Sequence, residues 1–335
     1  MVRNARAQRA RGDEEHRASP AARGQVGRDQ GTNQGSRIRT HRPTVIVPGT
    51  PRRTLARGAR VEGVGLFTAA AARCTIRPSG PGTGVLLRRS DVPGAPPFPA
   101  ARASLSDRPV HPAFRAIDPR CTTLGPAHAG VSTVEHVLSA LAGLGVTDAL
   151  VEVSGPELPI LDGSAAPFVG AILDAGLHEI APPSAPIRLR APVVVEACGA
   201  TIAAEPADAF SASYSLDYGP GSPVPAQRAE WSGDPSAYAV EIAPARTFCL
   251  RAEAEAMRAA GLFAHLTPRD MLVLDTAGPI DNTLRFPDEP ARHKLLDLVG
   301  DLALLGRPLL ARVRAERSGH ALTHRLTGAI LDAAL

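Results

Sequence analysis

The chain has 335 residues, 44% hydrophobic and only 4% aromatic, a length sufficient for two domains with substantial cores. Its net charge of +4 is uneven, because residues 1–60 hold 14 Arg and 4 acidic residues (net +10) and the remainder holds 23 basic and 29 acidic residues (net −6). The sequence contains no apolar run that approaches a membrane span and no paired-cysteine spacing, which argues against a helical membrane protein, a disulfide framework and a paired-cysteine zinc site. We therefore expect a cytoplasmic protein with reduced thiols.

Residues 1–43 are rich in Arg, Ala, Gly and Gln and contain almost no large apolar groups. Such a segment cannot bury enough surface to fold, and it lacks the hydrophobic block of a secretory signal. We expect a disordered basic extension, or a start codon assigned too early. A basic arm that binds nucleic acid or anionic lipid is the alternative. The leading expectation includes no nucleic-acid partner.

Order is predicted to begin near Thr54, with short segments rich in Val, Thr and Arg between Gly and Pro turns. The first clear helix combines Ser132 as a cap with an apolar stripe that begins at Val134 and Val137. The predicted elements of this part are strands at 60–66, 73–77 and 148–153, and helices at 132–144 and 166–175.

The Pro-rich residues 182–186 mark the predicted boundary between an N-terminal domain, 54–182, and a C-terminal domain, 187–335. Strands and helices are mixed without a βαβ rhythm, which favours an α+β fold over a doubly wound sheet. The predicted elements of the second domain are strands at 187–196, 212–216, 271–275 and 309–316, and helices at 252–260, at 290–305 and from 319 onward.

The helix at 290–305 carries His293, Lys294, Asp297 and Asp301 within one quadrant, since each residue turns by about 100°. His293 and Asp297, four residues apart, can bind one divalent cation through an imidazole nitrogen and a carboxylate oxygen. Lys294 is the single Lys of the chain beside 36 Arg, which suggests that this position needs a compact ammonium group. An exposed helix face with an ion pair is the alternative.

The first helix begins with Ser132-Thr133-Val134-Glu135-His136. Here His136 could be a third metal ligand, and Glu135 could be an acid or base beside it. The spacing of Ser132 and Glu135 is also that of a capping box, so this motif alone does not decide between the two interpretations.

Two further segments offer reactive side chains. His320 follows Gly319 at the start of the last helix, where it could donate a proton. It could instead form a separate metal pair with His324, or both could be ordinary polar residues. Thr247 could support a developing oxyanion or cap the next helix.

Together these segments resemble the zinc-dependent UDP-3-O-acyl-N-acetylglucosamine deacetylases of lipid A biosynthesis. The matching segments follow one another in the family's order over about 280 residues, and matches of this number and length are highly specific. They are residues 64–68 (Val-Gly-Leu-Phe-Thr), 132–136, 159–168, 245–248 (Ala-Arg-Thr-Phe), 292–297 and 318–322.

The resemblance implies two similar two-layer α+β domains with the active site between them. It implies one Zn²⁺ ion, which lowers the pKa of a water molecule to about 7. The implied reaction is hydrolysis of the N-acetyl group of an acylated UDP-amino sugar, with release of acetate. We expect a monomer that approaches a membrane peripherally through its acylated substrate. The implied roles are His136, His293 and Asp297 as zinc ligands, Glu135 as general base, Thr247 at the oxyanion, His320 oriented by Asp301 as proton donor, and Lys294 and Phe248 in substrate binding, with an acyl passage at about 248–275.

Several positions depart from the family pattern. Phe67 stands where the family usually has His, and Cys249-Leu250 replaces the usual Gly-Phe. Residues 265–268 (His-Leu-Thr-Pro) replace a Gly-Gly-Ser loop, and Thr323-His324 replaces a pair of Asn. These changes concern substrate fit and acyl length rather than the implied ligands. The alternative function is that of a catalytically altered relative that binds a lipid or a nucleotide sugar.

Overall fold

The computed structural model describes residues 49–115 and 120–334. The basic segment 1–43 lies outside the described residues, so its predicted disorder and the nucleic-acid alternative stay predictions. Within the described ranges, no helix has both the length and the apolar character needed to cross a membrane.

The first half of the described chain builds a five-stranded sheet. Its elements are β1 (Thr50–Leu55), β2 (Ala59–Val64), β3 (Ala71–Pro78), β4 (Val85–Arg89), β5 (Phe98–Pro99), β6 (Thr123–Leu124), β7 (Val131–Ser132), α1 (Glu135–Gly143), β8 (Ala149–Ser154), α2 (Ala166–Ala175) and β9 (Leu177–Ser184). The sheet order is β2-β3-β8-β4-β5, with β4 and β8 parallel and the other pairs antiparallel. On β3, buried Ala72, Cys74 and Ile76 alternate with more exposed residues, so one face of the sheet is covered.

The second half builds a larger sheet of the same kind. Its elements are β10 (Ile187–Arg188), β11 (Val193–Ala197), β12 (Ala200–Pro206), β13 (Ser211–Leu216), β14 (Gln227–Trp231), α3 (Pro235–Ala237), β15 (Phe248–Leu250), α4 (Arg251–Ala259), β16 (Leu272–Asp275), β17 (Gly278–Pro279), α5 (Glu289–Leu302), β18 (Leu309–Glu316) and α6 (His320–Ala333). The order is β11-β12-β18-β13-β14, with β10 beside β18. Helices α5 and α6 pack on this sheet, and β15, β16 and β17 form a separate small sheet.

The two large sheets share one topology. Apart from the short β10, each sheet has five strands, and the last of them along the chain (β8 or β18) lies between the second and the third. It is antiparallel to the second and parallel to the third. In each half, one helix (α1 or α5) precedes that strand and another (α2 or α6) follows it. The predicted α+β fold with two similar layered halves is confirmed. The domain bounds stay predictions, and Pro182 itself lies within β9.

Helices α1 and α5 cross closely and join the two halves. Ser139 Oγ of α1 donates a hydrogen bond to the Leu296 carbonyl of α5 at 2.7 Å. A Cβ atom added at Gly300 would stand 2.1 Å from the Glu135 carbonyl oxygen, so α5 touches the α1 backbone there. A Cβ atom at Gly143 would meet the Tyr238 ring at 2.3 Å. Small residues therefore permit an approach that larger side chains would prevent.

The start of α1 differs from the prediction. The helix begins at Glu135 rather than at residue 132, and its N-cap, Val134, makes no side-chain cap. Ser132 belongs to β7 and its hydroxyl bonds to Thr123 Oγ1 at 2.9 Å, so the predicted Ser132 cap and the capping-box interpretation are wrong. Thr133 between them has φ +58°, a left-handed conformation that stops the helix from extending backwards. The Glu135 carboxylate therefore does not cap the helix and instead lines the cavity described below.

The approach of α1 and α5 gives a stability prediction. Gly300→Ala should lower the free energy of unfolding by about 1–3 kcal/mol, because the methyl group would force the two helix backbones apart. Gly170→Ala on α2 is the matched control, since open space surrounds that glycine. The control should gain about 0.5–1 kcal/mol from reduced unfolded-state freedom. Denaturant unfolding measures both variants, and equal stabilities would contradict the close crossing.

Candidate metal centre and active site

One side of α5 presents His293, Lys294 and Asp297 together. The His293 Nε2 atom lies 3.4 Å from Asp297 Oδ1, and Lys294 Nζ lies 2.8 Å from Asp297 Oδ2. His293 Nδ1 lies 3.1 Å from the Ala245 carbonyl oxygen, so this nitrogen donates and Nε2 keeps its lone pair. The backbone of the preceding segment therefore fixes the tautomer that a metal ligand needs.

Helix α1 adds His136 to this group. Its Nε2 lies 3.8 Å from Asp297 Oδ1, and its ring stands perpendicular to the His293 ring with centroids 5.2 Å apart. One donor atom from each of these three buried residues lies within 4.8 Å of the other two. Two imidazole nitrogens and a carboxylate oxygen are a donor set for a divalent metal ion. The residues present therefore fit a metal centre.

The protonation states suit this donor set. Burial lowers the pKa of His136 to about 3 and also lowers the pKa of His293, so both imidazoles are neutral near pH 7. Burial alone would raise the pKa of Asp297, but Lys294 and the neighbouring histidines together outweigh that effect and lower it. Burial acts to lower the pKa of Lys294, but the net shift is upward, and the Asp297 carboxylate contributes to it through its charge and its hydrogen bond. The result is a carboxylate beside two neutral imidazoles, the forms that bind a metal ion.

Glu135, the first residue of α1, is the acidic group next to this centre. Its Oε2 atom accepts a hydrogen bond of 2.9 Å from the Thr122 backbone N–H. Burial raises the pKa of Glu135 to about 8, although the charge of His320 acts in the opposite direction. A carboxylate with affinity for a proton near neutral pH has the property required of a general base.

His320, the first residue of α6, is paired with Asp301 of α5. Its Nδ1 lies 2.7 Å from Asp301 Oδ2, and its Nε2 lies 3.9 Å from Asp297 Oδ2. Burial would lower the pKa of His320, but the charge of Asp301 raises it to about 9. For Asp301, burial would raise the pKa, and His320 and His324 lower it. The pair is therefore an imidazolium and a carboxylate.

His324 lies beside this pair. Asp301, His320 and His324 also have donor atoms within 4.8 Å of one another, the separation that a second metal ion would need. Their groups hydrogen-bond through Thr122, whose hydroxyl lies 2.5 Å from Asp301 Oδ1 and 2.9 Å from His324 Nε2. His320 and His324 thus belong to one buried polar network with Asp301 and Thr122, and they are not ordinary polar residues of the first helical turn.

Thr247 lies before β15, so it does not cap a helix, and that alternative is wrong. Its backbone N–H donates to the Gly163 carbonyl at 2.7 Å. The preceding Arg246 forms a buried two-point ion pair with Glu289, Nε to Oε1 at 2.8 Å and Nη2 to Oε2 at 3.1 Å. These contacts fix the segment that carries the Thr247 side chain.

Sequence reasoning missed Glu157, a buried carboxylate that holds the entrance segment of α1. It accepts hydrogen bonds from the Phe67 and Thr68 backbone N–H groups and from the Thr133 hydroxyl at 2.9 Å. The Thr133 bond stabilises its strained left-handed conformation. No local sequence pattern could have identified Glu157. Its partners Phe67 and Thr68 are distant in sequence, and its bond to Thr133 requires the left-handed backbone of that residue.

A cavity of about 500 Å³ connects these groups. It is lined by the candidate metal ligands, by the candidate base and acid, and by a group of apolar side chains. Its members named from the sequence are Glu135, His136, Thr247, Phe248, His293, Lys294, Asp297 and His320. Met257, Phe263 and Met271 fall within the range predicted for the acyl passage, 248–275. Members that sequence reasoning missed include Arg120, Tyr214, Tyr218 and Arg317. Asp301 is absent from this lining and contacts His320, which belongs to it.

The chain matches the family model described as LpxC: UDP-3-O-acyl N-acetylglycosamine deacetylase over residues 52–332. It belongs to this deacetylase family. A protein of Thermosynechococcus vestitus named UDP-3-O-acyl-N-acetylglucosamine deacetylase is 37% identical over 289 residues, which cover 86% of this chain and 96% of the relative. A protein of the same name from Myxococcus xanthus is 35% identical over 84% of this chain and 86% of its own length. The resemblance inferred from the motifs is confirmed.

Within this family member, an aromatic cluster lies at the apolar end of the cavity. The Phe67 ring meets Phe114 edge-on with centroids 5.0 Å apart and lies 5.9 Å from the Phe263 ring. All three are buried, in a core that also includes Met271 and Cys249. Phe67 therefore packs into an apolar wall of the cavity.

The Arg246–Glu289 pair gives the second prediction. Arg246→Met should lower the free energy of unfolding by about 3–5 kcal/mol, because Glu289 would be left as a buried charge without its cation. Adding Glu289→Gln should restore part of this loss, since the neutral amide needs no cation. Denaturant unfolding of the single and double variants measures the difference. Equal losses would show that the charge pairing is not what stabilises this segment.

Proposed function

We propose that this chain hydrolyses the N-acetyl group of a UDP-3-O-acyl-N-acetylglucosamine and releases acetate, a reaction of lipid A biosynthesis. The observation that carries the proposal is the convergence of His136, His293 and Asp297 with Glu135 and His320 around one cavity. Membership of the deacetylase family supports the same reaction. The cavity has polar and apolar parts, as a nucleotide sugar with an acyl chain requires.

We propose Zn²⁺ as the metal ion, held by His136 Nε2, His293 Nε2 and an Asp297 oxygen. When bound, zinc polarises a carbonyl group as a Lewis acid and lowers the pKa of water to about 7. The two imidazoles and the carboxylate support this choice, since catalytic zinc sites use three such protein ligands. Lys294 keeps Asp297 ionised and is proposed to bind substrate next to the metal.

We propose that different side chains around the metal site accept and donate the protons of the reaction. We assign the Glu135 carboxylate to take a proton from the attacking water as its oxygen bonds to the acetamide carbon. The Thr247 hydroxyl donates to the developing oxyanion. His320 then gives its Nε2 proton to the departing amine nitrogen as the C–N bond breaks, and Asp301 holds the opposite ring nitrogen. Acetate and a free 2-amino group result.

We further propose a cytoplasmic location, with peripheral approach to a membrane through the acyl chain. The four cysteines carry free thiols in the structure, and three of them are buried. Disulfides persist in oxidising compartments, so free thiols support a reducing one. The monomeric state stays a prediction.

The role of Glu135 is tested by Glu135→Gln. We expect acetate release to fall by about two to four orders of magnitude, because the amide cannot accept the proton. Zinc content should stay at one ion per chain, since no ligand changes. His136→Ala is the contrasting variant and should lose both zinc and activity. Full turnover by Glu135→Gln would remove this residue from the reaction.

The aromatic cluster is tested with substrates of different acyl length. Phe67→Ala and Phe263→Ala should raise kcat/KM for longer chains relative to shorter ones by about tenfold, because each newly buried CH₂ group is worth about 0.8 kcal/mol. Phe210→Ala is the matched control, since that ring packs on Trp231, away from the cavity lining. An unchanged chain-length profile in both cavity variants would mean that the acyl chain lies elsewhere.

A further inference from the structure

We propose that Thr122, supported by His324, is a positioning residue that fixes the base Glu135 and the Asp301–His320 pair relative to each other. The inference rests on the proposed function, because it concerns the geometry of that reaction. Thr122 is fully buried. Its backbone and its side chain serve two different halves of the site.

The backbone of Thr122 holds the start of α1. Its N–H donates to Glu135 Oε2 at 2.9 Å, and its carbonyl oxygen accepts from the Val134 N–H at 3.3 Å. The Glu135 carboxylate is held by this backbone hydrogen bond, whereas the carboxylates of Asp297 and Asp301 are each paired with a cationic side chain. The position of Thr122 therefore decides where the base carboxylate lies.

The hydroxyl of Thr122 holds the acid side. It lies 2.5 Å from Asp301 Oδ1 and 2.9 Å from His324 Nε2. The ionised carboxylate has no proton to offer, so the single hydroxyl proton goes to Asp301. His324 must then donate its Nε2–H to the hydroxyl oxygen. The other Asp301 oxygen accepts from His320 Nδ1 at 2.7 Å, which completes a directed chain from His324 through Thr122 to Asp301.

This chain has a geometric consequence for His320. Both Asp301 oxygens have a donor, so the carboxylate cannot rotate, and the imidazole bonded to it keeps its Nε2 facing the cavity. The base and the proton donor must act around one carbon atom, and a displacement of about 1 Å can cost about a hundredfold in rate. His324 lies one helical turn after His320 on α6, so the same helix supplies both histidines of the chain.

The kinetic test compares three hydroxyl variants of the zinc-loaded protein. Thr122→Val keeps the backbone bonds and the volume but removes the hydroxyl, and it should lower kcat by about ten- to a hundredfold with KM within about twofold. Thr122→Ser restores the hydroxyl and should keep kcat within about threefold of the original. Thr123→Val is the control, because that hydroxyl bonds to Ser132 instead. Equal losses in Thr122→Val and Thr122→Ser, or a change in KM alone, would overturn the proposal.

His324→Leu gives a second test from a partly exposed position, where unfolding is a smaller concern. It removes the last donor of the chain together with the 3.5 Å contact between His324 Nε2 and Asp301 Oδ1. We expect kcat to fall by about three- to tenfold with KM unchanged, and His324→Asn to recover part of the loss. A kcat equal to that of the original chain in His324→Leu would remove His324 from the network.

An NMR measurement tests the chain without substrate. In the zinc-loaded protein labelled with ¹⁵N-histidine, His324 should carry its proton on Nε2, and its ring signals should shift in Thr122→Val but not in Thr123→Val. A His324 protonated on Nδ1 alone, or a second zinc ion bound per chain, would overturn the hydrogen-bond chain. An Nε2–H tautomer in a protein that releases no acetate would instead overturn the proposed function.

Discussion

The close crossing of α1 and α5 is the contact on which the site depends. Helices with ordinary side chains at their contact pack with axes about 8–10 Å apart, and a glycine allows a shorter separation. Gly300 lets the α5 backbone meet the Glu135 carbonyl, one residue before His136. The separation of His136 from His293 and Asp297 is thus set by backbone contact rather than by flexible side chains, and a metal centre built this way is rigid before any ion binds.

The same crossing gathers three carboxylates in a buried space, which is tolerable only if each has a partner. Asp297 has Lys294 and Asp301 has His320, so both stay ionised. Among the described residues, the Glu135 side chain receives one hydrogen bond, from the Thr122 backbone N–H, and burial raises its pKa. Neighbouring acids of the same chemical type are in this way suited to different tasks by their partners alone.

Local sequence patterns predicted many of the observed helices and strands. The helix predicted at 166–175 and the strand predicted at 309–316 have the bounds observed for α2 and β18, and the spacing of His293 and Asp297 is a property of any helix. The start of α1 was wrong, because Glu157 stabilises a Thr133 conformation that propensity disfavours. Thr122 was invisible for a related reason: its side-chain partners lie about 180–200 residues away, and no local pattern encodes such contacts.

The repeated topology of the two large sheets has a consequence for how the centre assembles. Helices α1 and α5 occupy equivalent places in the two repeats, yet α1 carries one of the three candidate metal donors and α5 carries two. Neither repeat by itself supplies all three candidate donors. Covalent linkage gives each repeat a high effective concentration of the other, so the full ligand set forms within one molecule even at high dilution.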